Sequence, residues 1–147
     1  MDKKKLASIL GYLGLIPFFS LTVIYFISNF NNYVVDVYLF YANIILAFIC
    51  GNHWSKILNS NIIDNKSLLL ILSVCIPFFS FILGFFSNQD VKIAIYVVLF
   101  FVTNFIDKKI FFETNNFWYL NLRKRLTFLV IFTLVINLFA INSYRFF

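Results

Sequence analysis

Apolar residues in this chain gather in long, uninterrupted stretches separated by short polar connections. They show neither the alternation of a half-buried strand nor the single stripe of a surface helix. Five stretches, over about 6–28, 37–57, 67–87, 91–106 and 126–143, approach the length required of a spanning helix. That length is roughly 20 residues for about 30 Å of hydrocarbon. Continuous apolar runs favour helices over a barrel, whose strands alternate in polarity. The pattern predicts a single all-α integral membrane domain over 1–147 with five transmembrane helices.

Composition removes the alternatives. Hydrophobic residues make up 62% of the chain and charged residues 12%, against roughly 45–50% and about 25% in soluble domains. Aromatics at 22% exclude a disordered chain. Two cysteines cannot staple a chain of this length, which excludes a disulfide scaffold.

Charge then orients the spans. Of the 12 basic residues, all but Lys92 and Arg145 fall before the first span, between the second and third, or between the fourth and fifth. By the positive-inside rule this predicts an N-in/C-out topology, in a bacterial inner (cytoplasmic) membrane or a mitochondrial inner membrane. The net charge of +6 is therefore topogenic, and no nucleic-acid partner is implied. The apolar part of the first stretch is longer than a signal-peptide core, so it reads as a retained span.

The pentapeptide Ile16-Pro17-Phe18-Phe19-Ser20 recurs as Ile76-Pro77-Phe78-Phe79-Ser80, and the chain has only 2 prolines. Each copy is followed by Ser-Asn (Ser28-Asn29, Ser87-Asn88) and then Asp-Val (Asp36-Val37, Asp90-Val91). This spacing predicts two parallel hairpin repeats plus a fifth helix, with each proline kinking its helix near mid-span.

Chemistry-bearing residues are few. No Asp, Glu, Lys or Arg is expected mid-span; Asp36, Asp90 and Asp107 read as helix ends. Within the second span Asn43, Ala47, Cys50 and Trp54 share a helical face suited to the bundle interior, and Cys50 and Cys75 read as buried small residues. Thr133 and Asn137, four apart, are placed to bond between helices.

His53 is the sole histidine, and superposing the repeats through Asp36 and Asp90 brings it onto Asp107. The aromatic segment 108–122, followed by Arg123-Lys124-Arg125, is expected to lie in the cytoplasmic headgroup region. His53, Trp54, Asp107, Trp118, Tyr119 and Arg123 then fall on one membrane face as a candidate ligand-binding cluster. The same residues also serve as an interfacial structural network. One histidine without a cysteine pair does not make a metal site, no cofactor is indicated, and the catalytic inventory is thin.

Several of these segments resemble the transmembrane protein 69-like family, domain of unknown function 3429, of proteobacteria and mitochondria. Gly11-Tyr12-Leu13-Gly14-Leu15-Ile16-Pro17-Phe18 is similar to its opening Gly-x-x-Gly-x-x-Pro-Phe motif. The stretch from Tyr41 to Trp54 is similar to its Tyr…Phe-x-Gly-x-His-Trp segment. Trp118-Tyr119-Leu120-Asn121-Leu122-Arg123 with Leu126-Thr127 resembles its Trp-Tyr-x-x-Leu-Arg-x-x-Leu-Thr motif. Asn52 and Ser55 depart from the pattern. The resemblance implies a multi-pass membrane protein and brings no activity with it.

Three functional classes follow. The favoured one is a small lipid- or ligand-binding membrane module holding a lipid or quinone-like molecule. An assembly or scaffold subunit, with a membrane protein partner or as a homo-oligomer, comes second. A small-solute transporter or channel, for which only the repeat speaks, comes third, since an ion-coupled carrier normally buries a carboxylate in mid-span.

Overall fold

A computed structural model describes residues 2–60, 65–113 and 116–145. The described chain is helical: α1 (Lys3–Leu13), α2 (Ile16–Ile27), α3 (Asn32–Asn59), α4 (Lys66–Leu83), α5 (Gln89–Glu113) and α6 (Phe117–Arg145). Five helical stretches are long and apolar enough to cross a membrane, with α1 and α2 in series forming the first.

The first span is thus broken rather than kinked. Pro17 sits in the first turn of α2, where its missing N–H is no loss and its fixed φ suits helix initiation. The break falls at Gly14–Leu15, and the Tyr41 hydroxyl donates to the Gly14 carbonyl at 2.9 Å. Pro77, by contrast, lies inside an unbroken α4. Ser20 and Ser80 each donate to the carbonyl of the proline three residues earlier, at 3.2 and 2.9 Å. The α2–α3 turn uses left-handed Asn29 and Phe30 (φ 53° and 61°). Phe30 is held there by edge-on contact with Tyr25 and Phe26, and the Asn31 side chain caps α3 by accepting from the Tyr33 N–H.

Side-chain bonds fix the directions of the helices. Asp36–Lys92 at one end and His53–Asp107 at the other make α3 and α5 parallel neighbours. Thr22 accepts from Asn137 at 3.0 Å, and a Cβ on Gly11 would meet Leu126 Cδ1 at 2.8 Å, so the first span runs parallel to α6. Tyr38–Thr133 (2.7 Å) and Asn52–Tyr119 (2.8 Å) make α3 antiparallel to α6. Helices α2, α3, α5 and α6 enclose the core, and α4 lies outside along α3, touching α5 more sparsely. Phe18 forms the hub, packed edge-on against Tyr38, Tyr41 and Phe100.

The distribution of polarity is that of a membrane bundle. Thr22, Ser73, Ser80, Thr103, Thr133 and Asn137 are buried, while Phe40, Phe48, Phe85, Phe101, Phe105 and Phe139 project outward. In water such an apolar surface would aggregate; in lipid it costs nothing, and interior polar groups bond between helices.

Three expectations change. Helix reaches into 108–122 from both sides, with α5 continuing to Glu113 and α6 beginning at Phe117. The fourth and fifth spans are longer than 91–106 and 126–143 accordingly. Asp107 and Arg123 are the reason: their charges are mutually satisfied inside the bundle, so the helices need not end where the apolar run ends. The interior face of α3 is also displaced from the expected stripe. Ala42, Leu46, Ile49, Cys50, His53 and Ile57 are buried, whereas Ala47 and Trp54 face outward. His53 and Trp54 are adjacent on a helix of 3.6 residues per turn, and the inward place goes to the side chain with an ionic partner. Cys75 is exposed, unlike Cys50.

Candidate functional site

The parallel pairing of α3 and α5 sets His53 opposite Asp107, and the tight reversal into α6 brings Arg123 beside them. His53 is fully buried, Asp107 is 1% exposed and Arg123 8%. His53 Nε2 lies 2.7 Å from Asp107 Oδ1, and since a carboxylate only accepts, Nε2 carries the proton. Arg123 Nε and Nη2 both donate to Asp107 Oδ2, at 3.2 and 3.0 Å. Both carboxylate oxygens are therefore occupied, and the Asp107 and Arg123 charges cancel. Such pairing is the condition for keeping ions at this depth, because an unpaired buried charge costs several kcal/mol. His53 Nδ1 is buried without a hydrogen-bond partner among the described residues.

Tyr119 extends the cluster. It packs edge-on against Phe111, closing the α5–α6 reversal, and its hydroxyl accepts from the Asn52 amide at 2.8 Å. The phenolic proton remains to be donated elsewhere. Trp118 and Trp54 stand apart, at 39% and 42% exposed. Of the six residues singled out by sequence, the structure joins His53, Asp107 and Arg123 directly, sets Tyr119 alongside, and leaves both tryptophans at the surface.

Beside this cluster, between α1, α3 and α6, runs an apolar cleft of about 300 Å³. Ala7, Gly11 and Gly14 keep its α1 wall low, and Phe48 and Leu126 face them. Arg123, Tyr119 and Thr127 supply its polar groups. His53 and Asp107 do not line it; they stand behind Arg123. Two of the five guanidinium N–H groups point back to Asp107, leaving the rest of the fork free of hydrogen bonds to described residues. The cleft thus offers donors at one place and hydrocarbon elsewhere, the usual character of a small-molecule site. Among the described residues no group of three or more His, Cys, Asp or Glu is placed to hold a metal ion.

A second polar cluster, at the opposite end of α3 and α5, was not legible as a site. Lys92, 5% exposed, donates to Asp36 Oδ1 at 2.8 Å, and Gln89 Nε2 donates to the same oxygen at 2.8 Å. The available signal was Lys92 itself, one of two basic residues outside the positively charged connections.

Fold and cluster together define the class: a multi-pass membrane protein whose helices enclose a buried ionic network. A family model described as "Protein of unknown function (DUF3429)" matches residues 3–139, and the chain belongs to that family. No curated protein and no solved structure matches the chain.

Proposed function

We propose that the protein is a small membrane module that holds an amphiphile in the cleft between α1, α3 and α6. One observation carries this reading: an apolar cleft of about 300 Å³ is lined by an arginine whose charge is already balanced from behind by Asp107. A balanced guanidinium attracts a full anion weakly but still donates hydrogen bonds. With the Tyr119 hydroxyl and Thr127 it favours a neutral, acceptor-rich head group, such as a quinone or ester carbonyl. The tail lies along Ala7, Gly11, Gly14 and Phe48. His53 and Asp107 act as positioning residues that aim Arg123; Trp54 and Trp118 are interfacial anchors.

The chain is one membrane domain, N-in/C-out, in a bacterial or mitochondrial inner membrane, which the skewed distribution of its 12 basic residues supports. The two-hairpin repeat is supported by α3 and α5 lying parallel with His53 facing Asp107 at the offset that relates Asp36 to Asp90, although Pro17 and Pro77 occupy different helical contexts.

The test is to extract the protein in mild detergent and identify retained small amphiphiles by mass spectrometry, for the wild type and for Ala7→Phe. Ala7→Phe fills the cleft from α1 and leaves the residues of the ionic cluster unaltered. A stoichiometric amphiphile in the wild type that Ala7→Phe loses is the expected result. A folded wild type with no retained amphiphile, or equal retention in both, refutes the site.

A further inference from the structure

The second polar cluster lies in a cleft of its own. Between α3, α4 and the start of α5 is a space of about 440 Å³, separate from the Arg123 cleft and at the other end of the bundle. It exists because α4 packs along α3 and diverges from α5. One wall is polar: Lys92, Asp36, Gln89 and the mutually bonded pair Asn43 and Ser80. The rim is aromatic, with Phe40 and Phe85 among the most outward-facing side chains of the molecule.

The hydrogen-bond accounting of this wall is incomplete in a specific way. Lys92 carries three N–H donors and spends one on Asp36. Asp36 accepts twice at Oδ1, while its side chain remains 53% exposed and Oδ2 has no hydrogen bond to a described residue. Gln89 spends its amide N–H on Asp36, and its Oε1 is buried with no hydrogen-bond partner among the described residues. The cleft therefore presents unused donors on Lys92 and, close by, unused acceptors on Gln89 and Asp36. A buried acceptor left empty is costly, so an occupant that donates to it is favoured.

Charge narrows the occupant further. Asp36 and Lys92 sum to zero, so neither a net anion nor a net cation is preferred. A zwitterion matches both: anionic oxygens accept from Lys92, and an ammonium donates to Gln89 Oε1 and Asp36 Oδ2. The ammonium must carry N–H groups to satisfy Gln89, which excludes a trimethylammonium head. Asp36, Gln89 and Lys92 lie in the first two turns of α3 and α5, the depth of head groups at a span end, and the aromatic rim suits acyl chains. We infer that the cleft between α3, α4 and α5 binds an aminophospholipid, with its phosphate on Lys92 and its primary ammonium on Gln89 and Asp36.

The experiment places the full-length protein in nanodiscs containing phosphatidylethanolamine, phosphatidylcholine or phosphatidylglycerol, extracts it, and counts retained lipid by native mass spectrometry. Phosphatidylethanolamine is expected to be retained about tenfold more tightly than the other two, as the loss of one charge-assisted bond implies. Gln89→Leu is expected to erase the preference for ethanolamine over choline while leaving the protein folded. Lys92→Met weakens retention of all phospholipids at this site, and Gln89→Leu still decides the question if Lys92→Met fails to fold. Equal retention of the three lipids, or an unchanged preference in folded Gln89→Leu, overturns the assignment. Displacement of the lipid by soluble phosphoethanolamine at equal concentration also overturns it, since the site then recognises a free zwitterion. Ala7→Phe, in the other cleft, leaves the ethanolamine preference intact, so failure of either site is distinguishable from failure of the other.

Discussion

Asp107 is the residue on which the buried ionic cluster turns, because it accepts from both His53 and Arg123. Asp107→Ala strands the guanidinium in a buried place, and the expected loss is about 3–5 kcal/mol in reversible denaturation from mixed micelles. Replacing both ions by Asp107→Leu with Arg123→Leu is expected to recover most of that loss, because two apolar groups leave no charge uncompensated. Recovery of stability without recovery of amphiphile binding is the outcome that assigns Arg123 a role beyond packing. His53→Ala removes one bond to a charged acceptor, worth about 1.5–3 kcal/mol. As a positioning residue it is expected to weaken binding without abolishing it; unchanged affinity with lowered stability shows His53 to be purely structural.

At the scale of elements, the two prolines make a contrast. Pro77 sits inside α4, where proline is disfavoured by up to about 3 kcal/mol relative to alanine; Pro17 sits in the first turn of α2, where it is tolerated. Pro77→Ala is therefore expected to stabilise the protein and Pro17→Ala to change it by less than about 1 kcal/mol, both measured by unfolding in micelles. Equal effects at the two positions contradict the break seen at Gly14–Leu15. The repeated pentapeptide is identical in sequence, yet the Tyr96 hydroxyl bonds within the second copy, to the Ser80 carbonyl, whereas ahead of the first copy the Tyr41 hydroxyl takes the carbonyl at Gly14. That is a tertiary contact, and local sequence does not carry it.

The same distinction marks what was readable elsewhere. Apolar runs located the spans because lipid demands them, and His53 meets Asp107 because α3 and α5 run parallel. Helix ends were misread wherever a charged residue seemed to close a span: Asp107 and Arg123 neutralise each other within it, and pairing between distant residues is invisible to hydropathy. Lys92 counted only toward the orientation of the spans, although its ammonium is buried against Asp36. Periodicity alone put Trp54 on the interior face of α3, where the structure has His53 instead.

For the whole molecule, the proposed topology predicts alternating compartments. Reporter fusions after Asn29, Ser60, Asn88, Asn116 and the C-terminus are expected outside, inside, outside, inside and outside; a cytoplasmic C-terminus contradicts it. This orientation puts the Arg123 cleft at the inner face and the Lys92 cleft at the outer one. The central claim is that the Arg123 cleft holds an amphiphile by its acceptor-bearing head. Its most direct test is a titration of the purified protein with a short-tailed quinone, read as a shift in unfolding free energy. At a hundredfold excess over the dissociation constant, the account predicts stabilisation of the wild type by roughly 2.7 kcal/mol. It predicts little for Ala7→Phe, and little for an alkylbenzene of the same tail length that lacks the carbonyls. Equal stabilisation of wild type and Ala7→Phe by the quinone, or of the wild type by quinone and alkylbenzene alike, contradicts it.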